Sequence, residues 1–152
     1  MIKKYENLYP MTFWVGLYSD FKEAIKKFMF YSSVEGQRGR EEDVTPRELN
    51  THTGGVTYIV RDKRRREKGV LILINEEFFA DGLLTSMLMD IIAHEASHAT
   101  DAVYQVIGES CRTYDEGNEP HAYLLGWFVG RITEYIIQIV HERRKRKKVR
   151  RR

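Results

Sequence analysis

Cysteine is almost absent from this sequence, which contains only Cys111 among its 152 residues. One thiol cannot form an intramolecular disulfide, and zinc ribbons that need several cysteines are excluded for the same reason. The first ten residues, MIKKYENLYP, include lysines but no apolar run behind them, so we do not expect a secretory signal peptide. Together these absences favour a cytoplasmic protein.

A strong charge of one sign is also lacking from most of the chain. The formal net charge is +3, from 25 Lys and Arg against 22 Asp and Glu. Residues 142–152, ERRKRKKVRRR, hold nine of the basic residues and one of the acidic ones, which leaves 16 basic and 21 acidic residues in 1–141. We therefore predict one acidic domain over residues 1–141, followed by a basic, disordered tail over 142–152.

The basic tail predicts binding to a polyanion. A cluster of Lys and Arg such as that in residues 143–152 binds phosphates without sequence preference, as nucleic-acid tethers do. It also binds the anionic surface of a lipid bilayer. A tail that only keeps the protein soluble is an equally good interpretation of the composition.

The longest apolar run, AYLLGWFVGRITEYIIQIV, covers residues 122–140. It is long enough to cross a bilayer, and positive charge follows it. Arg131 and Glu134 lie in its middle, however, where each charge costs about 3 kcal/mol in a membrane. Their spacing fits an ion pair on a packed helix better, which argues against a transmembrane span.

Hydrophobic periodicity predicts a compact α+β domain. Alternating or continuous β-branched and aromatic residues indicate strands, and apolar residues at i, i+3 and i+4 indicate helices. The predicted strands are 11–18, 55–61 and 69–74, and the predicted helices are 20–31, 83–107 and 119–141. A polar surface loop is expected between the first helix and the second strand, and the start of one short helix near 45–48 is the alternative. We expect a small antiparallel or mixed sheet packed on the last two helices.

The sequence IIAHEASHATD, residues 91–101, places two histidines one helical turn apart. His94 and His98 then project from the same face of the helix, as two ligands of one Zn²⁺ must. Glu95 lies next to the first histidine, where a carboxylate can take a proton from a water that the metal activates. The alternative is an ordinary buried helix in which this spacing arose by chance.

A catalytic zinc site needs a third protein ligand, and the segment DEGNEPHAY contains three candidates. Glu119 begins the last helix and lies 21 residues after His98, so it could face back onto the metal. Glu116 in the preceding loop and His121, which would give a three-histidine site, remain alternatives.

Two further side chains are candidates for supporting roles. Asp101 lies one turn after His98 and could accept its second ring N–H, which would fix the orientation of the imidazole. Tyr123 lies one turn after Glu119 and could donate its hydroxyl to a developing oxyanion. Solvation of the helix end by Asp101, and simple packing of Tyr123, are the alternatives.

HEASH followed at this distance by a glutamate on the next helix resembles the gluzincin branch of zinc metalloproteases. HEASHATD with NEPHAYLLGWFVG is most similar to small HExxH proteins of phages and prophages. The resemblance covers about residues 55–140 and implies a minimal zincin-like (minigluzincin) fold in a bacterial host cell. Two departures from the family are that the chain is much smaller than a full gluzincin and that it shows no second substrate-binding lobe.

Carried over residue by residue, the resemblance implies a complete site. His94, His98 and Glu119 would bind zinc, and Glu95 would be the general base. The strand GVLILI would be an edge strand along which an extended peptide pairs, with substrate contacts from Val70, Ile72 and Ile74.

Two hypotheses for function follow. The first is a zinc-dependent metallopeptidase-like hydrolase that acts on a peptide or protein. The second is a phage or mobile-element protein whose zinc is structural and whose basic tail binds nucleic acid or a host partner.

Overall fold

The computed structural model describes residues 1–6, 9, 11–31, 49, 52–80, 82–110 and 117–149. Within these residues the chain forms five strands and three α-helices, which confirms the α+β class. The strands are β1 (Lys3–Glu6), β2 (Thr12–Leu17), β3 (Phe28–Tyr31), β4 (Gly55–Asp62) and β5 (Lys68–Ile74). The helices are α1 (Phe21–Lys27), α2 (Ser86–Ile107) and α3 (Glu119–Val149). Residues 45–48, for which a surface loop was expected and a short helix was the alternative, lie outside the described residues.

The five strands form one mixed sheet in the order β1-β2-β5-β4-β3. Strands β4 and β5 form an antiparallel hairpin, in which Arg61 pairs with Lys68 and Gly55 with Ile74. Strand β2 pairs with the other side of β5 in parallel, and the remaining neighbours are antiparallel. The most apolar strand is therefore the central one.

Helices cover both faces of this central strand. Val70, Ile72 and Ile74 point to the face that packs against α2 and α3, where they join the larger hydrophobic cluster. Leu71 and Leu73 point to the opposite face, where they join a smaller cluster. This arrangement explains the continuous apolar run in β5, because both faces of the strand are buried.

The prediction of a helix over residues 20–31 was wrong for its last four residues. Helix α1 ends at Lys27, and Phe28 adopts an extended conformation (φ −115°, ψ 150°) that begins β3. Phe28 and Phe30 are both buried in the smaller cluster, and they pair with Asp62 and Val60 of β4. The apolar residues of FKEAIKKF recur at helical spacing, so the sequence alone predicts a helix that continues through Phe28. Only the pairing with β4 shows that Phe28 begins a strand.

Helix α3 continues farther than expected. The predicted helix ended at 141 and a disordered tail followed, whereas the structure keeps residues 142–149 in the helix. Arg131 and Glu134 form the expected ion pair, with Nη1 of the arginine 2.7 Å from the carboxylate. None of the helices in the described part of the chain has the length and apolarity needed to cross a membrane.

The contact between β2 and β5 depends on Gly69. A Cβ atom at this position would lie only 1.9 Å from the carbonyl oxygen of Thr12, so neither strand can accommodate a side chain there without moving. We expect Gly69→Ala to lower the free energy of unfolding in urea by about 3 kcal/mol or more. The matched control is Gly126→Ala in α3, where a Cβ would meet no atom within 4 Å. This control should raise stability by up to about 1 kcal/mol, and equal effects of both changes would contradict the assignment.

Candidate functional site

Helix α2 holds the HEASH segment in its middle, away from either end. Thr85 caps the start of the helix, because its hydroxyl oxygen accepts a hydrogen bond from the Leu88 N–H at 3.2 Å. Gly108 ends it with a left-handed backbone (φ 77°) that few other residues adopt without strain. The segment therefore lies on a rigid element with fully defined boundaries.

The two histidines of this segment converge on one point outside the helix. Nε2 of His94 and Nε2 of His98 are 3.1 Å apart, and the two rings stand nearly perpendicular at 86°. Two nitrogen ligands of a tetrahedral zinc ion, each 2.0–2.1 Å from the metal, are about 3.3 Å apart. Both side chains are exposed. The pair thus has the spacing and the access that two ligands of one ion require.

Glu95 points to the other side, into the contact between α2 and the sheet. Its side chain is only 5 % exposed, and its Oε2 accepts a hydrogen bond of 2.6 Å from the hydroxyl of Thr57 on β4. The Thr57 hydroxyl also lies 3.2 Å from the backbone oxygen of Glu95. A buried carboxylate without such a donor would be costly, so Thr57 both stabilises and orients it.

The glycines at the start of β4 make room for this carboxylate. A Cβ on Gly55 would lie 2.6 Å from Cγ and 3.1 Å from Oε1 of Glu95. On Gly54 it would lie 2.4 Å from the side chain of Ile91. Gly55, the first residue of β4, and Gly54 just before it therefore allow α2 to approach the strand closely.

Two cavities of about 370 Å³ each flank Glu95, one on either side of the contact with β4. The first also contains His98, Asp101, Thr57 and Tyr31 in its lining. The second is lined by His94 together with the residues of the loop that leads into β4. Glu95 and one histidine thus border each cavity. We refer to the two cavities together as the groove. The HEASH segment therefore lies at an open groove and not inside the core.

Tyr31, at the end of β3, is a site residue that the sequence analysis missed. Its hydroxyl is buried and has no hydrogen-bond partner among the described residues. A buried hydroxyl without a partner is costly, so such a group commonly meets a ligand or water. The sequence analysis placed Tyr31 at the end of a predicted helix, and nothing in that position indicated that the residue would line a cavity beside Glu95.

Burial raises the pKa of the Tyr58 hydroxyl, and the nearby Tyr18 and Glu95 raise it further. Burial also raises the pKa of Tyr18, and the nearby Glu95 raises it further. The Tyr18 hydroxyl lies 2.7 Å from the hydroxyl of Thr53. Both phenols therefore stay protonated at neutral pH and add no negative charge beside the carboxylate.

Among the described residues, no third ligand lies with the histidine pair. Glu119 is exposed at the start of α3, and no group of three or more His, Cys, Asp or Glu side chains in the described ranges is arranged to hold a metal ion. His121 has its Nε2 3.2 Å from Oδ1 of Asp101. Glu116 lies outside the described residues. The structure brings together two of the three predicted ligands.

The predicted supporting residues lie elsewhere than expected. Asp101 lines the same cavity as His98, but the structure pairs its carboxylate with His121. Tyr123 is 75 % exposed on α3. The oxyanion role predicted for it has a better-placed candidate in Tyr31, which lines the cavity beside Glu95.

The predicted substrate contacts on β5 are wrong. Val70, Ile72 and Ile74 are no more than 1 % exposed, and β5 is paired along its length with β2 and β4. An extended peptide cannot pair with a strand that has no open edge. Strand β4 has an open edge along part of its length, because among the described residues β3 pairs only with residues 59–62. Residues 55–58 have no strand partner on that side within the described part of the chain, and they lie beside Glu95.

Comparisons with known proteins leave the family of this chain undetermined, because no protein-family model, curated protein or solved structure matches it.

Proposed function

We propose that this protein is a zinc-dependent hydrolase of the metallopeptidase type with a minimal zincin-like fold. The observation that carries the proposal is the 3.1 Å approach of the two Nε2 atoms of His94 and His98. A buried carboxylate, Glu95, lies between them in sequence and borders an open groove. Two imidazoles and one adjacent carboxylate are the parts that metal-assisted hydrolysis needs.

The donor set fits a zinc ion in part. His94 and His98 would supply two ligands, and Glu119 would supply the third after a movement of the start of α3. His121 and Glu116 are the alternatives for that position. When bound, the zinc would lower the pKa of water toward about 7 and polarise a carbonyl group.

Glu95 would act as the general base. Its Oε2 is held by Thr57, while its Oε1 lies beside Gly55 at the start of β4. A carboxylate held in this way can take the proton of the attacking water and pass it to the leaving amine. Thr57 is a positioning residue in this scheme, because it acts only through Glu95.

The open edge of β4 would bind the substrate. Residues 55–58 run past Glu95, so an extended peptide that added a strand there would carry its backbone across the groove. Backbone pairing recognises any sequence, since it uses only N–H and C=O groups. The Tyr31 hydroxyl lies in the lining of the same groove, where it could donate a hydrogen bond to a substrate carbonyl.

A structural role for zinc has less support. Two clusters of buried apolar residues occupy the two faces of the sheet, and both lie away from the exposed histidine pair. A chain of this size with such a core does not need a metal to fold. We therefore expect cooperative thermal unfolding after zinc is removed with a chelator.

Zinc binding is the first test. We expect nearly one zinc per chain after reconstitution, measured by atomic emission on desalted protein. His98→Ala should lose it, and Glu119→Ala should weaken it by about 10-fold or more. His141→Ala is the matched control, because His141 is exposed on α3 far from the pair. Full zinc retention in His98→Ala would rule out the site.

Glu95→Gln tests the base. This change keeps the size of the side chain but removes its proton affinity, so we expect hydrolysis of a mixed library of quenched fluorescent peptides to fall about 10²–10⁴-fold. Zinc content should not change. Glu23→Gln on α1, which packs on the other face of the sheet, is the control. Undiminished turnover in Glu95→Gln would eliminate this mechanism.

Tyr31→Phe and Tyr123→Phe form a matched pair. Both remove one hydroxyl, but only Tyr31 lines the groove. We expect kcat to fall about 10²-fold in Tyr31→Phe, because an oxyanion donor is lost, and to remain unchanged in Tyr123→Phe. The reverse result would restore the role that the sequence predicted for Tyr123.

A further inference from the structure

Three large apolar side chains are exposed together where the chain enters α2. Leu83 is 61 % exposed, Leu84 49 % and Met87 59 %. We refer to these three residues as the apolar patch. Single exposed apolar residues are common, but three within five positions form a contiguous surface that usually marks an interaction site.

The basic end of α3 lies directly beside this patch. Nη2 of Arg144 donates a hydrogen bond of 3.1 Å to the backbone oxygen of Gly82, the residue before Leu83. The Arg143 guanidinium lies 5.3 Å from the ring centre of Phe79. These two contacts fix the helix end against the loop that carries the patch. The position of the positive charge relative to the apolar residues is therefore defined.

The end of α3 carries a dense run of positive charge. Residues 143–148 are all Lys or Arg, and Arg144, Lys145 and Arg146 are exposed. The nearest acidic residue in α3 is Glu142, which accepts a hydrogen bond from Gln138. The patch and the basic helix end together present apolar and cationic groups on one surface.

We infer that this surface docks on an anionic lipid bilayer. Apolar side chains that enter the acyl region and cations that bind the headgroups are the two components that hold peripheral proteins on such membranes. Nucleic acid is the other polyanion that the cations would suit, but phosphate binding needs only the cations. Single-stranded nucleic acid would also use stacked aromatic rings, and the patch contains leucine and methionine only.

The test is co-sedimentation of the full chain with vesicles. We expect binding to vesicles of phosphatidylcholine with about 30 % phosphatidylserine, and little binding to pure phosphatidylcholine. The patch variant, Leu83→Ser, Leu84→Ser and Met87→Ser together, should lower the partition coefficient about 10-fold or more. The helix variant, Arg144→Gln, Lys145→Gln and Arg146→Gln together, should lower it by a similar factor.

Matched controls separate this surface from general effects. Val106→Ser removes an exposed apolar side chain at the other end of α2. Arg64→Gln, Arg65→Gln and Arg66→Gln together remove three exposed charges from the turn between β4 and β5. Both controls should bind anionic vesicles as the wild type does. Replacing the three patch residues with phenylalanine should preserve binding, which distinguishes lost apolarity from misfolding.

Three outcomes would overturn the inference. The first is no binding to anionic vesicles. The second is binding that the helix variant abolishes but the patch variant leaves intact, together with equally tight, salt-sensitive binding to duplex DNA, which would identify a nucleic-acid tether. The third is equal loss of vesicle binding in the variants and in their controls.

Discussion

The close contact between α2 and the start of β4 is the constraint on which the rest of the site depends. Gly54 and Gly55 let the helix approach, and Glu95 then lies over the strand within reach of Thr57. This contact occupies one side of α2, so the two histidines lie on the exposed side of the helix, where they line the groove. The orientation of Glu95 and the packing of α2 on β4 are thus set by the same few atoms, and a side chain at Gly55 would disturb both.

Local sequence patterns correctly predicted helix α2 and the strands β4 and β5. Helix α2 has clear capping residues and regular spacing, and the hairpin of β4 and β5 is made of β-branched residues around a polar turn. Predictions failed where a partner distant in sequence decides the structure. Phe28 and Phe30 became a strand because β4 pairs with them, and β5 became central because β2 pairs with it.

The candidate site, too, was predictable from the sequence only where neighbouring residues of one helix form it. The spacing of His94 and His98 is local to one helix, so their convergence follows from helical geometry alone. Glu119 and Tyr123 belong to another helix, whose rotation and distance from α2 no pattern of spacing encodes. Tyr31 had no local signal, because its place in the groove depends on the pairing of β3 with β4.

The two proposals place chemistry and docking on one helix. His94 lies seven residues after Met87 in α2, which corresponds to about 10 Å along the helix axis. The apolar patch and the histidine pair are therefore about two turns apart on one helix. The basic turn between β4 and β5 lies at the start of β5, whereas Phe79, which contacts the basic end of α3, follows the end of β5. The turn therefore belongs to a different surface from the apolar patch.

The parallel pairing of β2 with β5 has a consequence for the order of folding. Thr12 and Gly69 are partners although they are 57 residues apart in sequence, whereas Arg61 and Lys68 in the adjacent hairpin are only seven apart. Closing the longer loop costs more chain entropy, and contacts of this kind slow folding. The hairpin of β4 and β5 is therefore expected to form early as a template, and β2 joins it late. Until then one edge of the most apolar strand is open, which makes that interval the one in which a nascent chain is most prone to aggregate.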